Sequence, residues 1–130
     1  MKVFEVELGG KRRRIRFTPM DGAKLWRRFN KPLFNLLMHD CMAVGSNGKS
    51  TGEFNPDAQL ALLSLGLATD EETVSQWIYE AQCGHSDVTI ADFVMPAIKA
   101  AFYSGILGKS IDLDAEEDKS GKAQSHSTDP

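Results

Sequence analysis

The sequence predicts an α+β fold that is mainly α: an N-terminal β-hairpin, four to five helices, and a disordered acidic and polar C-terminal tail. Three observations carry that prediction. Residues 2–17 alternate apolar and polar on either side of Gly9-Gly10. From Thr18 onward, apolar residues recur at three- and four-residue spacing behind N-cap signals. After Lys109 the chain turns acidic and then polar, with almost nothing to bury. The domain therefore spans 1–109 and the tail 110–130.

The hairpin closes on Gly9-Gly10, a two-residue turn signal. Closure there sets Leu8 opposite Lys11, Glu7 opposite Arg12, Val6 opposite Arg13, Glu5 opposite Arg14 and Phe4 opposite Ile15. One face carries Phe4, Val6, Leu8, Ile15 and Phe17. The other pairs Glu5 with Arg14 and Glu7 with Arg12, worth about 0.2–1 kcal/mol per pair. Two strands alone are marginal in water, so the hairpin must lie on helices or pair with another chain. Neither outer edge carries proline, which leaves strand addition open.

Thr18-Pro19 opens the first helix, with Thr18 as N-cap, Pro19 at N1 and Asp21 at N3. Met20, Leu25, Phe29, Leu33, Leu36 and Leu37 supply its buried side. Asn30-Lys31-Pro32 should divide it into about 19–30 and 32–43. Residues 44–55 form a polar, glycine-rich loop, long for a compact domain. Asn55-Pro56 starts a short helix bearing Leu60, Leu62, Leu63, Leu65 and Leu67, weakened at its end by Gly66. Thr69 with Glu72 reads as a capping box before Val74, Trp77, Ile78 and Ala81. The last helix, Thr89–Leu107, carries Ile90, Phe93, Val94, Ala97, Ile98, Ala101, Phe102 and Ile106 on one stripe. Thr89 and Asp92 cap its start, Gly108 its end, and Pro96 should kink it or mark a boundary. Its stripe is the widest, so the other elements are expected to pack on it.

At 130 residues the chain has the length of one domain, and its 42% apolar and 25% charged residues are ordinary for a globular protein. No apolar run reaches the roughly 20 residues of a membrane span, and the glutamates of the first ten residues do not suit a signal peptide. Cys41 and Cys83 are too few for a disulfide framework and lack zinc-ligand spacing, so free thiols are expected. Neither a metal nor a cofactor is expected. The net charge of −3 conceals an asymmetry: residues 1–34 hold ten Lys/Arg against three Asp/Glu, and the remainder five against fifteen. That asymmetry suits a basic face near the N-terminus and head-to-tail self-association, a partner with its own charged surface, or simply exteriors that differ in sign.

Several motifs suggest chemistry, and their contexts weigh against it. Ala43–Ser50, AVGSNGKS, fits a loosened phosphate-loop pattern with Lys49 and Ser50 in the reactive places, yet a helix precedes it where a buried strand is required. Lys11–Arg16 holds five cations in six residues and could contact phosphates, but Glu5 and Glu7 stand ready to pair with them. The overall acidity of the chain and the absence of interleaved exposed aromatics disfavour nucleic-acid binding. His39-Asp40-Cys41 and Cys83-Gly84-His85 are not working dyads, because neighbouring residues on a helix point apart. The tail acids Asp112, Asp114, Glu116, Glu117 and Asp118 lack a calcium loop's glycine and spacing. No enzymatic role is read. Aromatic residues dominate interface hot spots. Core packing accounts for Trp77 and Phe102, which lie on apolar stripes. Trp26 and Tyr103 fall off the stripes and are better partner contacts. The partner-binding set is thus Trp26, Tyr103, Phe102, Arg12 and Arg14.

The order of features over about 1–109 resembles the small tail assembly chaperones of long-tailed double-stranded DNA phages. The VFEVELGGKRRRIRF hairpin comes first, then an entry helix. Acid-capped middle helices such as TDEETVSQWIYEA follow. The last helix, IADFVMPAIKAAFYSGILGK, leads into a charged tail. The resemblance implies a non-enzymatic protein in the cytoplasm of an infected bacterium, absent from the mature virion. Such a protein binds the tape measure protein, keeps it soluble and helps recruit tail tube protein around it. It also implies a homo-oligomer, and a longer frameshifted form for which Gly108-Lys109 or Gly121-Lys122 are compatible positions. The alternatives are another phage morphogenesis or adaptor protein, and a small nucleic-acid-binding regulator using the basic hairpin.

Overall fold

The computed structural model describes residues 2–115. It is an α+β domain, mainly helical, that begins with an antiparallel hairpin of β1 (Phe4–Leu8) and β2 (Lys11–Ile15). Gly9 and Gly10 both take positive φ, 66° and 81°, which makes the turn type I′. The register runs from Phe4 opposite Ile15 to Leu8 opposite Lys11, as the alternation requires. Val6, Leu8, Ile15 and Phe17 are buried beneath the sheet. On the outer face the expected direct ion pairs do not close. Arg12 instead reaches Glu5 diagonally at 3.8 Å, and both side chains stay exposed.

Helix α1 (Pro19–Phe29) starts where Pro19 presets φ, and Asp21 accepts the Thr18 backbone N–H at 2.8 Å. It ends at Asn30, in the left-handed region at φ 51°. Only Gly22 and Leu25 of α1 are buried. Met20, placed on the buried side by its spacing, is 56% exposed. It shares its side of the helix with exposed Lys24 and Arg27, away from buried Gly22 and Leu25.

The next segment differs from the expected α-helix. A short α2 (Leu33–Asn35) passes into a π-helical stretch, Leu36–Cys41, that buries Leu36, Leu37 and Cys41. The Met42 N–H bonds the Leu37 carbonyl at 3.1 Å across the wider turn. The Cys41 carbonyl is taken by Gln59 Nε2 at 3.0 Å, a buried contact. The loop that follows is not featureless. Val44 bridges Ser50, and the Gly45 N–H donates to the Lys49 carbonyl at 2.8 Å.

Helix α3 (Pro56–Leu67) is capped by Asn55, whose side chain accepts from the N–H groups of Asp57 and Ala58. Seven of its residues are buried, among them Gln59 and Ser64. It touches β2, α1, the π-helical stretch, α4 (Glu71–Gln82) and α5 (Ala91–Ser104). The centre of the domain is therefore α3 rather than α5, since a helix apolar all round must be enclosed. The α5 stripe is buried as expected from Phe93 to Phe102, against β1, β2 and α3.

Three boundaries shift. The α4 cap is Asp70, accepting the Thr73 N–H at 2.7 Å, not Thr69. α5 ends at Gly105 in the left-handed region, φ 83°, rather than at Gly108. Pro96 lies within α5, which continues through it. The segment 110–115, assigned by composition to the tail, is joined to the domain. Ile111 and Leu113 pack on the core, and the Ile111 N–H donates to the Phe102 carbonyl at 2.9 Å. The rest of the expected disordered tail, 116–130, lies outside the described residues.

Gly66 is explained by contact rather than by helix ending. A Cβ there would sit 2.7 Å from Phe17 Cζ and 2.8 Å from Ile15 Cγ2, while its carbonyl accepts the Arg16 N–H at 2.9 Å. Gly66→Ala is expected to lower unfolding stability by about 1–3 kcal/mol, since the Phe17 ring and the Ile15 side chain must both shift. Urea denaturation measures this, and an unchanged midpoint would show that β2 is not seated as described.

Candidate functional site

Four aromatics are exposed, Trp26 at 48%, Phe34 at 55%, Phe54 at 50% and Tyr79 at 64%, and the first two lie near one another on α1 and α2. Gly22 of α1 meets Leu33 Cδ1 and Ile106, so the α1–α2 corner and the segment after α5 converge there. Trp26 is one turn beyond Gly22 on the same side of α1. Phe34 adjoins Leu33, and its ring meets Phe102 edge-on with centroids 6.2 Å apart. Both aromatics thus flank one junction of α1, α2 and α5. Trp26 came from the stripe argument. Phe34 did not, although it falls outside the Leu33, Leu36, Leu37 spacing and could have been found by that sign.

The other candidates are placed differently. Phe102 is only 4% exposed, so it is a core residue that supports Phe34 and not itself a partner contact. The spacing that put it on the stripe was the better guide. Tyr103 is half-buried and engaged within the chain: its hydroxyl accepts the Lys2 backbone N–H at 3.0 Å, and its ring lies 5.4 Å from that of Phe4. Arg12 and Arg14 are exposed on the outer face of the hairpin, as expected. Arg13 turns to the Trp77 ring, 3.7 Å from its centroid, over the place where Gly9 leaves no room for a Cβ.

Lys49, His39 and Cys83 are all exposed and lie on separate segments. Lys49 sits in a bridged loop that leads to no helix at the lysine, which is not the architecture of a phosphate loop. Asp40 is held by Lys31 Nζ at 2.7 Å. Cys41 is buried, and burial, aided by the nearby Asp40 charge, pushes its thiol up to about 12. It remains protonated and unreactive at neutral pH. Among the described residues no group of His, Cys, Asp and Glu is placed to hold a metal. No described helix is long and apolar enough to cross a membrane.

A cluster that spacing could not reveal closes the domain. Lys2 Nζ lies 2.8 Å from both Asp112 and Asp114, and Lys99 lies 2.8 Å from Asp114. Hydrogen bonds from Lys2 and then Lys99 draw the Asp114 carboxyl down to about 2, and the Lys2 bond lowers Asp112 as well. Comparison with protein families, curated proteins and solved structures finds no match for this chain.

A carboxylate depressed in the folded state adds stability above its unfolded value, and loses it as pH falls through the folded one. The clasp contribution of Asp114 should therefore be whole above 3.8 and vanish as pH falls toward about 2. Asp114→Asn is expected to melt below the parent at neutral pH and to converge with it near pH 2; a constant gap would remove the ion-pair account. Thiol reactivity offers a second check. Iodoacetamide should label exposed Cys83 in the native protein and reach Cys41 only after denaturation, as read by peptide mass spectrometry.

Proposed function

We propose that this chain is a non-catalytic assembly chaperone of the phage tail type, acting in the cytoplasm of an infected bacterium and absent from the finished virion. Its client is the tape measure protein, and it aids recruitment of tail tube protein around that client. The reading draws on the resemblance of the ordered chain to that family. The observation that carries it is the exposure of Trp26 and Phe34 at the corner between α1 and α2, where the Phe34 ring rests edge-on against buried Phe102.

The physical task suits that corner. A long helical client presents apolar stripes that aggregate unless covered, and helix-in-groove recognition uses a few aromatic or aliphatic anchors. Repetition along the client by oligomerisation would multiply a weak contact into firm retention. Buried Cys41 and the cap-bound acids leave this reading closer to the residues than an enzymatic one.

Co-expression with a long helical tape measure protein tests the reading. The parent chain should keep the client soluble and co-purify with it. Trp26→Ala and Phe34→Ala together should reduce recovered complex by about tenfold or more, with little change in melting temperature because both side chains are exposed. A strictly monomeric chain that leaves the client insoluble would overturn the proposal.

A further inference from the structure

An open groove of about 660 Å³ runs beside β2, bounded by Arg14 and Arg16, by Asp21 and Lys24 of α1, and by Gly66 and Asp70 after the turn of α3. Its charges are not balanced. Asp21 is committed to the Thr18 N–H and Asp70 to the Thr73 N–H, both at helix starts. Arg14, Arg16 and Lys24 make no ion pair among the described residues.

The backbone beside this groove is also available. The type I′ turn makes Leu8 and Lys11 a hydrogen-bonded pair, and pairs alternate along an antiparallel ladder. Arg12 and Arg14 therefore fall at positions whose N–H and C=O point away from β1. Further along, the Arg16 N–H is taken by the Gly66 carbonyl, which limits the open edge to the stretch before it. The β2 edge is thus short, unprotected and basic, whereas the β1 edge carries Glu5 and Glu7.

We propose that the β2 edge and its groove form a docking site for an extended acidic peptide segment. The segment adds as a third strand beside Arg12–Arg14 and sets its carboxylates against Arg14, Arg16 and Lys24. A peptide satisfies both features of the site, the outward backbone groups and the excess of three cations over two carboxylates. A phosphate chain would meet the cations and leave the strand edge unused. Lys24 and Trp26 are two residues apart and point to different sides of α1, so this site is separate from the aromatic corner. Loss of client binding at Trp26 would leave it standing.

Fluorescence anisotropy on the full chain tests the site. The probes are a labelled peptide of alternating Glu and Val, the same peptide interrupted by a central proline, and a labelled single-stranded oligonucleotide. The uninterrupted peptide should bind, more weakly as salt rises. The proline-interrupted peptide should bind about tenfold more weakly, because charge is kept and the ladder is lost. Arg14→Gln, which removes the charge and keeps the N–H, should weaken binding several-fold. Arg14→Pro, tolerated on an edge strand, should weaken it further. Circular-dichroism melts verify that each variant is folded, and if Arg14→Pro is not, the two peptides still decide. Equal binding of the two peptides, no binding at low salt, or tighter binding of the oligonucleotide would each overturn the proposal. So would a concentration-dependent dimer lost in Arg14→Pro when no peptide binds, since the edge would then be a contact between copies.

Discussion

A helix that is apolar on every side must be covered on every side, and α3 imposes that requirement on the whole domain. Ala58, Ala61, Leu62 and Leu63 are all but inaccessible, and each fully buried leucine contributes about 1.5–3 kcal/mol. Its two buried polar side chains do not break the apolar environment. Gln59 donates to Cys41 of the π-helical stretch and Ser64 to the Ala61 carbonyl. The hairpin, the π-helical stretch and the remaining helices are arranged as walls around this element.

Charge acts at the periphery of that arrangement. Arg28 of α1 reaches both Asp57 at the start of α3 and Glu71 at the start of α4, placing acids where helix N-termini favour them. Such exposed pairs contribute little to stability and serve more to orient. Lys2, Arg28 and Lys31 of the basic N-terminal third are matched by acids from later in the chain. The asymmetry of the sequence is thus partly resolved inside one molecule. What remains unmatched gathers near β2.

The register of the hairpin was legible, because a two-residue glycine turn and period-two alternation each dictate it; the pairing of its long outer side chains was not. Helix existence and the buried stripe of α5 were legible from spacing. The central role of α3 was not, since an all-apolar helix has no stripe to read and α5 had a wide one. The π-helical stretch was hidden because Leu33, Leu36 and Leu37 satisfy α-spacing equally well. The Gly66 contact, like the clasp of Lys2 with Asp112 and Asp114, joins residues far apart in sequence, and composition alone assigned Ile111 and Leu113 to the tail. Of the candidate site, Trp26, Arg12 and Arg14 were readable as off-stripe or outward-facing residues. The burial of Phe102 was legible from its stripe, whereas Tyr103 is engaged by Lys2 and Phe4, neighbours that only the fold supplies.

The clasp has one more consequence. Lys2 and Asp114 meet directly, so the start of β1 and the segment after α5 lie side by side. A circular permutant cut back to residue 115 and joined there to Lys2 through a short bridge would close a small loop at modest entropic cost. New termini opened in the exposed 46–52 loop would leave α3 and its walls in place. The molecule's order along the chain is in that sense only one of the orders its architecture allows.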